Sequence, residues 1–222
     1  MKTIVLMIST AMLLSGFTFQ QKKRVIFFGD SITQAGVQPG GYINVLEDLL
    51  KKNSIDNRFE LHGAGIGGNK IYDLYLRLEE DVIAKKPDIV VIWVGVNDVW
   101  HKSSYGTGTD ADKFEKFYAA LIKKLQAANV EVIISTPAAI GEKTDFTNSQ
   151  DGDLNHYSQI IRGIAQNNNV KLVDLRKVFL DYNLANNKTN QASGTLTTDG
   201  VHLNEKGNSL VAEEMMKALH GR

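Results

Sequence analysis

The seven residues from Asp88 to Val94, Asp-Ile-Val-Val-Ile-Trp-Val, constrain this chain more than any other segment. Apolar side chains follow one another without alternation, so a strand here must be covered on both faces. Such a strand belongs at the centre of a parallel sheet with helices above and below it. Val25-Ile26-Phe27-Phe28, ending at Gly29, and Val130 to Ser135, stopped by Pro137, have the same character. Phe59-Glu60-Leu61 and Val170 to Val173 are shorter strand candidates. Between these runs apolar residues recur at helical spacing. Tyr42, Val45, Leu46, Leu49 and Leu50 form one stripe, and Ile71, Leu74, Leu78 and Val82, closed by Pro87, form another. Ala111 to Ala128, Leu154 to Asn167 and Glu205 to Leu219 read as further helices. Strands alternating with helices in this way predict an α/β fold, a three-layer α/β/α sandwich around a doubly wound, about five-stranded parallel sheet.

Three polar segments, His101 to Asp110, Gly141 to Asp153 and Asn183 to Thr198, are expected to be irregular. Ligands of open α/β sheets bind at the carboxyl ends of the strands, so these loops are expected to rim the site.

A chain of 222 residues with 43% hydrophobic content can bury one substantial core. Lys+Arg and Asp+Glu balance at 25 each, so no basic excess points to a nucleic-acid partner. Lys2 precedes the apolar stretch Ile4 to Leu14, and Gln20-Gln21-Lys22-Lys23 follow it. That stretch is short for a bilayer span and suits a secretory signal, although a buried first strand or an N-terminal anchor has the same composition. The expectation is a signal peptide over residues 1–21, one domain over residues 22–222, and a secreted or periplasmic protein. There is no cysteine, hence no lipobox, no disulfide and no thiolate metal site, and no stable membrane anchor is expected.

Four short motifs occur in order: Gly29-Asp30-Ser31, Gly65-Ile66-Gly67-Gly68-Asn69, Gly95-Val96-Asn97-Asp98 and Asp199-Gly200-Val201-His202. Ser31 lies two residues past a buried strand, where a hydroxyl can stand at the sheet edge; Asp30-Ser31 can equally cap a helix. Asp199 and His202 are three apart, so one loop can present a carboxylate to Nδ1 and leave Nε2 as a base. A metal reading of that pair lacks further ligands, since His62, His101, His156 and His220 are scattered. Asn97 follows the central strand and can offer a neutral donor, while the Gly65–Gly68 turn lets backbone approach a substrate. No strand-Gly-x-Gly-x-x-Gly-helix unit and no Gly-Lys-Ser/Thr follows those glycines, so a phosphate cradle is excluded.

Together these blocks resemble the SGNH hydrolase superfamily, the GDSL-type lipase/esterase family, over about Arg24 to Leu219. Phe28-Gly29-Asp30-Ser31-Ile32-Thr33 is similar to the nucleophile block, with Ile32 in place of Leu. Gly65-Ile66-Gly67-Gly68 resembles the second block, Gly95-Val96-Asn97-Asp98 the third, and Asp199-Gly200-Val201-His202-Leu203 the last. The resemblance implies a flavodoxin-like sandwich, no cofactor, and ester hydrolysis through an acyl-serine intermediate. It implies Ser31 as nucleophile, His202 as base then acid, and Asp199 as its orienter. The oxyanion hole would be the Ser31 amide, Asn97 and Gly68, with Gly67 the alternative glycine.

Family membership leaves the substrate open. The polar rim segments hold few large aliphatics, which favours a short acyl group, acetyl in particular, on a small-molecule or carbohydrate ester. Trp100, Tyr105 and Tyr182 offer faces for a sugar ring, and Trp100 fits the core equally well. The competing readings are a lysophospholipase or acyl thioesterase, and a non-catalytic carbohydrate-binding protein on the same fold.

Overall fold

The computed structural model describes residues 21–221. The leader expected over residues 1–21 therefore falls, apart from Gln21, outside the described residues. Five strands form one all-parallel sheet: β1 (Lys23–Gly29), β2 (Phe59–Gly65), β3 (Ile89–Trp93), β4 (Glu131–Ser135) and β5 (Lys171–Val173), in the order β2-β1-β3-β4-β5. That is the flavodoxin-like order, and it places the topological switch point between β1 and β3.

The unalternating run from Asp88 to Val94 supplies β3, the middle strand of this sheet. Ile89, Val91 and Trp93 of β3 join a core with Val25 and Phe27 of β1, Leu46 and Leu50 of α2 (Tyr42–Lys52), and Val211 and Met215 of α8 (Glu205–His220). Val90 and Ile92 point the other way, into a second core with Ile26 and Phe28. Helices α3 (Ile71–Asp81), α5 (Ala111–Ala127) and α6 (Asp151–Asn168) close that side through Leu74, Tyr118, Leu121 and Ile161. A period of two along each strand thus feeds two separate cores, which is why the strand sequence shows no alternation. The remaining helices, α1 (Ser31–Gly36), α4 (Val96–Tyr105) and α7 (Leu175–Asn186), each begin within two or three residues of a strand end. Among the described residues no helix is long and apolar enough to cross a membrane.

Four boundaries differ from expectation. Helix α6 already begins at Asp151, inside the segment expected to be irregular to Asp153. His101 to Tyr105, expected to be irregular, is the second half of α4. Only its first turn is buried, through Val96, Asn97, Asp98 and Val99. Farther along, the helix has no apolar stripe: Ser103 and Ser104 donate to Trp100 O at 3.1 and 3.0 Å, and Gly106, at a φ of +66°, closes it by donating to His101 O. The segment expected to be irregular from Asn183 starts inside α7, which Asp174 caps by accepting from Lys177 N at 3.3 Å. Strand β2 continues four residues past Leu61, through His62-Gly63-Ala64 to Gly65. It is a half-exposed edge strand, held by its ladder to β1 rather than by an apolar run. A side chain at Gly65 would collide with Gln34 N at 2.1 Å, so glycine there lets α1 lie across the end of β2.

Candidate active site

All four motifs meet at the carboxyl edge of the sheet, around the crevice between β1 and β3. Asp30 follows β1 and accepts from Ile32 N at 3.0 Å, capping α1. The capping reading is thus true of Asp30 and leaves Ser31 free as the first helical residue. The Ser31 N–H points out of a helix start, among donors that have no intrahelical partner. Its Oγ lies 3.0 Å from His202 Nε2. His202 Nδ1 lies 2.7 Å from Asp199 Oδ2, and Asp199 Oδ1 accepts from Val201 N at 2.9 Å and His202 N at 2.8 Å. With the carboxylate accepting from Nδ1–H, Nε2 is left as acceptor for the Ser31 hydroxyl. Partial burial pushes the Asp199 carboxyl up, but its bonds to the imidazole and two amides outweigh this and hold it below the usual carboxylate range.

The candidate donors follow β2 and β3. Asn97 is buried in the first turn of α4, and one of its Nδ2 hydrogens reaches Asn69 O at 3.1 Å, leaving the second uncommitted. The two candidate glycines now differ. Gly67 N donates to Gln34 Oε1 at 2.8 Å, whereas Gly68 N has no partner among the described residues. Gly68 has φ of +77°, and a Cβ there would meet only His101 Cε1, at 3.8 Å. A positive φ of this kind is open to glycine and strained for most other residues.

Trp100 sits one turn beyond Asn97. It packs on the first core, and its ring centroid lies 6.3 Å from that of His202. His101 follows at 5.6 Å from Trp100, and Tyr105 at 5.0 Å from His101, so an aromatic row runs outward to Tyr105, which is 69% exposed. Tyr182 packs on the same core from α7, with Lys206 Nζ 5.9 Å above its ring. On the other flank of His202, Ile32, Gln38, Gly41, Thr198 and Asn208 line a groove of about 610 Å³. A hollow of similar size between the ends of α2 and α8 contains none of the motif residues.

Sequence reasoning missed the residues that hold these elements. Arg77 of α3 donates to Gly29 O at 2.8 Å and Ala64 O at 2.9 Å, tying the ends of β1 and β2 together. The same guanidinium donates to Asn69 Oδ1 at 2.7 Å and pairs with Asp81 at 2.8 Å. Asp98, next to Asn97 and fully buried, accepts from Ile71 N at 3.2 Å and so joins α4 to the start of α3. Burial pushes its carboxyl up to about 7, and the nearby Asp30 adds to the effect. Burial likewise raises Asp30 to about 7, against the pull of the Ile32 amide and of His202. Among the described residues no group of three or more His, Cys, Asp and Glu side chains is placed to hold a metal ion.

A hydroxyl, an imidazole and a carboxylate in series, with uncommitted N–H donors after the neighbouring strands of the switch point, form the equipment of an acyl-transfer hydrolase. Comparison with known proteins narrows the class. The GDSL-like lipase/acylhydrolase family matches residues 27–210. A crystallised acetyl xylan esterase, AlAXEase, is 64% identical with a TM-score of 0.87, covering 88% of this chain and 99% of its own. Acetylxylan esterase from Geobacillus stearothermophilus is 28% identical over 213 residues, 89% of this chain and 94% of its own. Isoamyl acetate-hydrolyzing esterase from Schizosaccharomyces pombe is 23% identical over 207 residues, 91% of this chain and 78% of its own. The chain belongs to the GDSL-like lipase/acylhydrolase family. It is a carboxylic ester hydrolase.

Proposed function

We propose that this protein removes acetyl groups from acetylated carbohydrates of the xylan type, with Ser31, His202 and Asp199 as the catalytic residues. The observation that carries the chemistry is the unbroken series Ser31 Oγ, His202 Nε2, His202 Nδ1, Asp199 Oδ2, with separations of 3.0 and 2.7 Å between residues. The substrate class rests on the two acetylxylan esterases to which the chain is similar.

In this reading Ser31 Oγ attacks the acetyl carbonyl carbon while His202 Nε2 takes its proton. Negative charge gathers on the carbonyl oxygen, where the Ser31 and Gly68 amides and the free Asn97 Nδ2 hydrogen receive it. Collapse breaks the ester C–O bond, and the sugar oxygen leaves with the proton from His202. Water then repeats the sequence on acetyl-Ser31, releasing acetate and restoring the hydroxyl. The leaving oxygen must face His202, so the saccharide lies beside it, against the Trp100 edge and the neighbouring groove, with Tyr105 as an outer stacking face. Residues 1–21 are proposed to be an export leader, which N-terminal sequencing of the mature protein would reveal.

Rates on p-nitrophenyl esters of increasing chain length, and acetate release from acetylated xylo-oligosaccharides, test the substrate. Acetyl should be preferred and the oligosaccharides deacetylated. Faster turnover of long chains would overturn the assignment. A fluorophosphonate should label Ser31 and fail to label the Ser31→Ala variant.

A further inference from the structure

Glu142 lies in the loop after β4, far in sequence from every motif, and is 1% exposed. Among the described residues its carboxylate pairs with no cation; it accepts from three successive backbone amides instead. Thr195 N reaches Oε2 at 2.8 Å, and Leu196 N and Thr197 N both reach Oε1 at 2.7 Å. Burying a carboxylate is costly unless its lone pairs are met, and here chain amides meet them.

Those amides lead directly into the turn that bears Asp199 and His202. Thr197 pairs with Leu203 in an antiparallel bridge, and Thr197 Oγ1 accepts from Gly200 N at 3.0 Å. Thr198 N donates to His202 O at 2.8 Å. Residues 195–197 are therefore the base of a tight turn with the carboxylate and imidazole at its tip. The anchor is itself held: Glu142 N donates to Ala192 O at 3.0 Å, Gly141 N donates to Gly200 O at 2.9 Å, and Glu142 O accepts from Asn187 Nδ2 at 2.8 Å.

We propose that Glu142 is the positioning residue of the Asp199–His202 pair, setting where Nε2 stands relative to Ser31 without touching any of the three side chains. This role rests on the reading of that pair as the catalytic base. Gln at this position keeps the Oε1 that serves Leu196 and Thr197 but turns an NH₂ against the Thr195 N–H. Ala removes all three acceptor contacts.

Both variants should be compared with wild type and His202→Ala on p-nitrophenyl acetate, below their Tm. Misplacing a reacting group by about 1 Å costs up to about 10²-fold, so Glu142→Ala should lose about that much kcat and Glu142→Gln about tenfold. KM for p-nitrophenyl acetate should stay within about twofold in both, because the displaced base binds no part of that ester in the ground state. Amide exchange should quicken at Thr195, Leu196 and Thr197 while β1 and β3 remain protected. If Glu142→Ala does not fold, the milder Glu142→Gln carries the test. A folded Glu142→Gln with kcat within about twofold of wild type, beside an inactive His202→Ala, would overturn the positioning role alone. Turnover retained by His202→Ala would instead overturn the catalytic reading on which it rests.

Discussion

Ser31, Gly68 and Asn97 stand on elements tied into the sheet, whereas Asp199 and His202 stand on a turn that the sheet does not reach. The first group follows the ends of β1, β2 and β3, where ladder bonds already fix the backbone. Arg77 then ties two of those strand ends to the glycine turn, and Asp98 joins α4 to α3. In the second group the Asp199 and His202 side chains are 48% and 38% exposed, and among the described residues the only regular pairing of their turn is the Thr197–Leu203 bridge. Donors that must wait for charge at a fixed point gain from sheet rigidity, because reorganisation during the reaction is what they are there to avoid. A loop has no ladder to share, so its accuracy depends on dedicated side-chain acceptors such as Glu142. The proposed catalytic site is thus held by two kinds of restraint.

Substitutions within each group test that contrast most sharply. Ser31→Ala or His202→Ala should each lower kcat by about 10⁶-fold, and Asp199→Asn by about 10⁴-fold, on p-nitrophenyl acetate. Asn97→Ala should cost about 10²–10³-fold with little change in Tm; a loss below about threefold would make Asn97 a turn residue and leave the donor set without its side chain. Arg77→Met should act chiefly on folding. It leaves two strand-end carbonyls, Asn69 and Asp81 without their donor, so urea unfolding should show a loss of about 2–3 kcal/mol. An equal loss of stability from Asp199→Asn would erase the distinction between the two groups.

A further effect is a pH dependence on the sheet-bound side. Asp30 and Asp98 are raised from 3.8 to about 7 by burial, so the folded protein holds protons that the unfolded chain releases. Their contribution to stability is fully present below the unfolded value and is lost as pH rises through the folded one. Tm should therefore fall between 3.8 and about 7 and level off above. Asp98→Asn should remove about half of that slope. The carboxyls held low, Asp110, Asp145, Asp174 and Asp199, act in the opposite sense and only below 3.8, outside this window. Burial holds the His101 imidazole below 6.5, which opposes part of the fall within it. A slope unchanged in Asp98→Asn would show that Asp98 is not the group responsible.

Much of this arrangement was legible in the residues because the relevant signals are local. The unalternating run at β3 and the shorter run at β1 declare strands buried on both faces, and each site motif directly follows a strand or precedes a helix. Signals that depend on partners were not legible. The second half of α4 has a solvated polar surface, and β2 is an edge strand of small and polar residues. Arg77 stands in an ordinary charged helix, beside Glu79 and Glu80, and Glu142 in a polar loop. Their importance lies in whom they meet, across 48 residues to Gly29 and 53 to Thr195.

By itself the sequence determined the layer architecture, because hydrophobic period is a property of neighbouring residues, and it determined the kinds of side chain available for the chemistry. Tertiary structure decided which of two glycines keeps its amide free, since Gln34 engages Gly67 and not Gly68. It also decided that buried Glu142 should hold the turn bearing Asp199 and His202. Both outcomes depend on hydrogen-bond geometry, whose tolerance of a few tenths of an ångström is fixed only when distant segments pack.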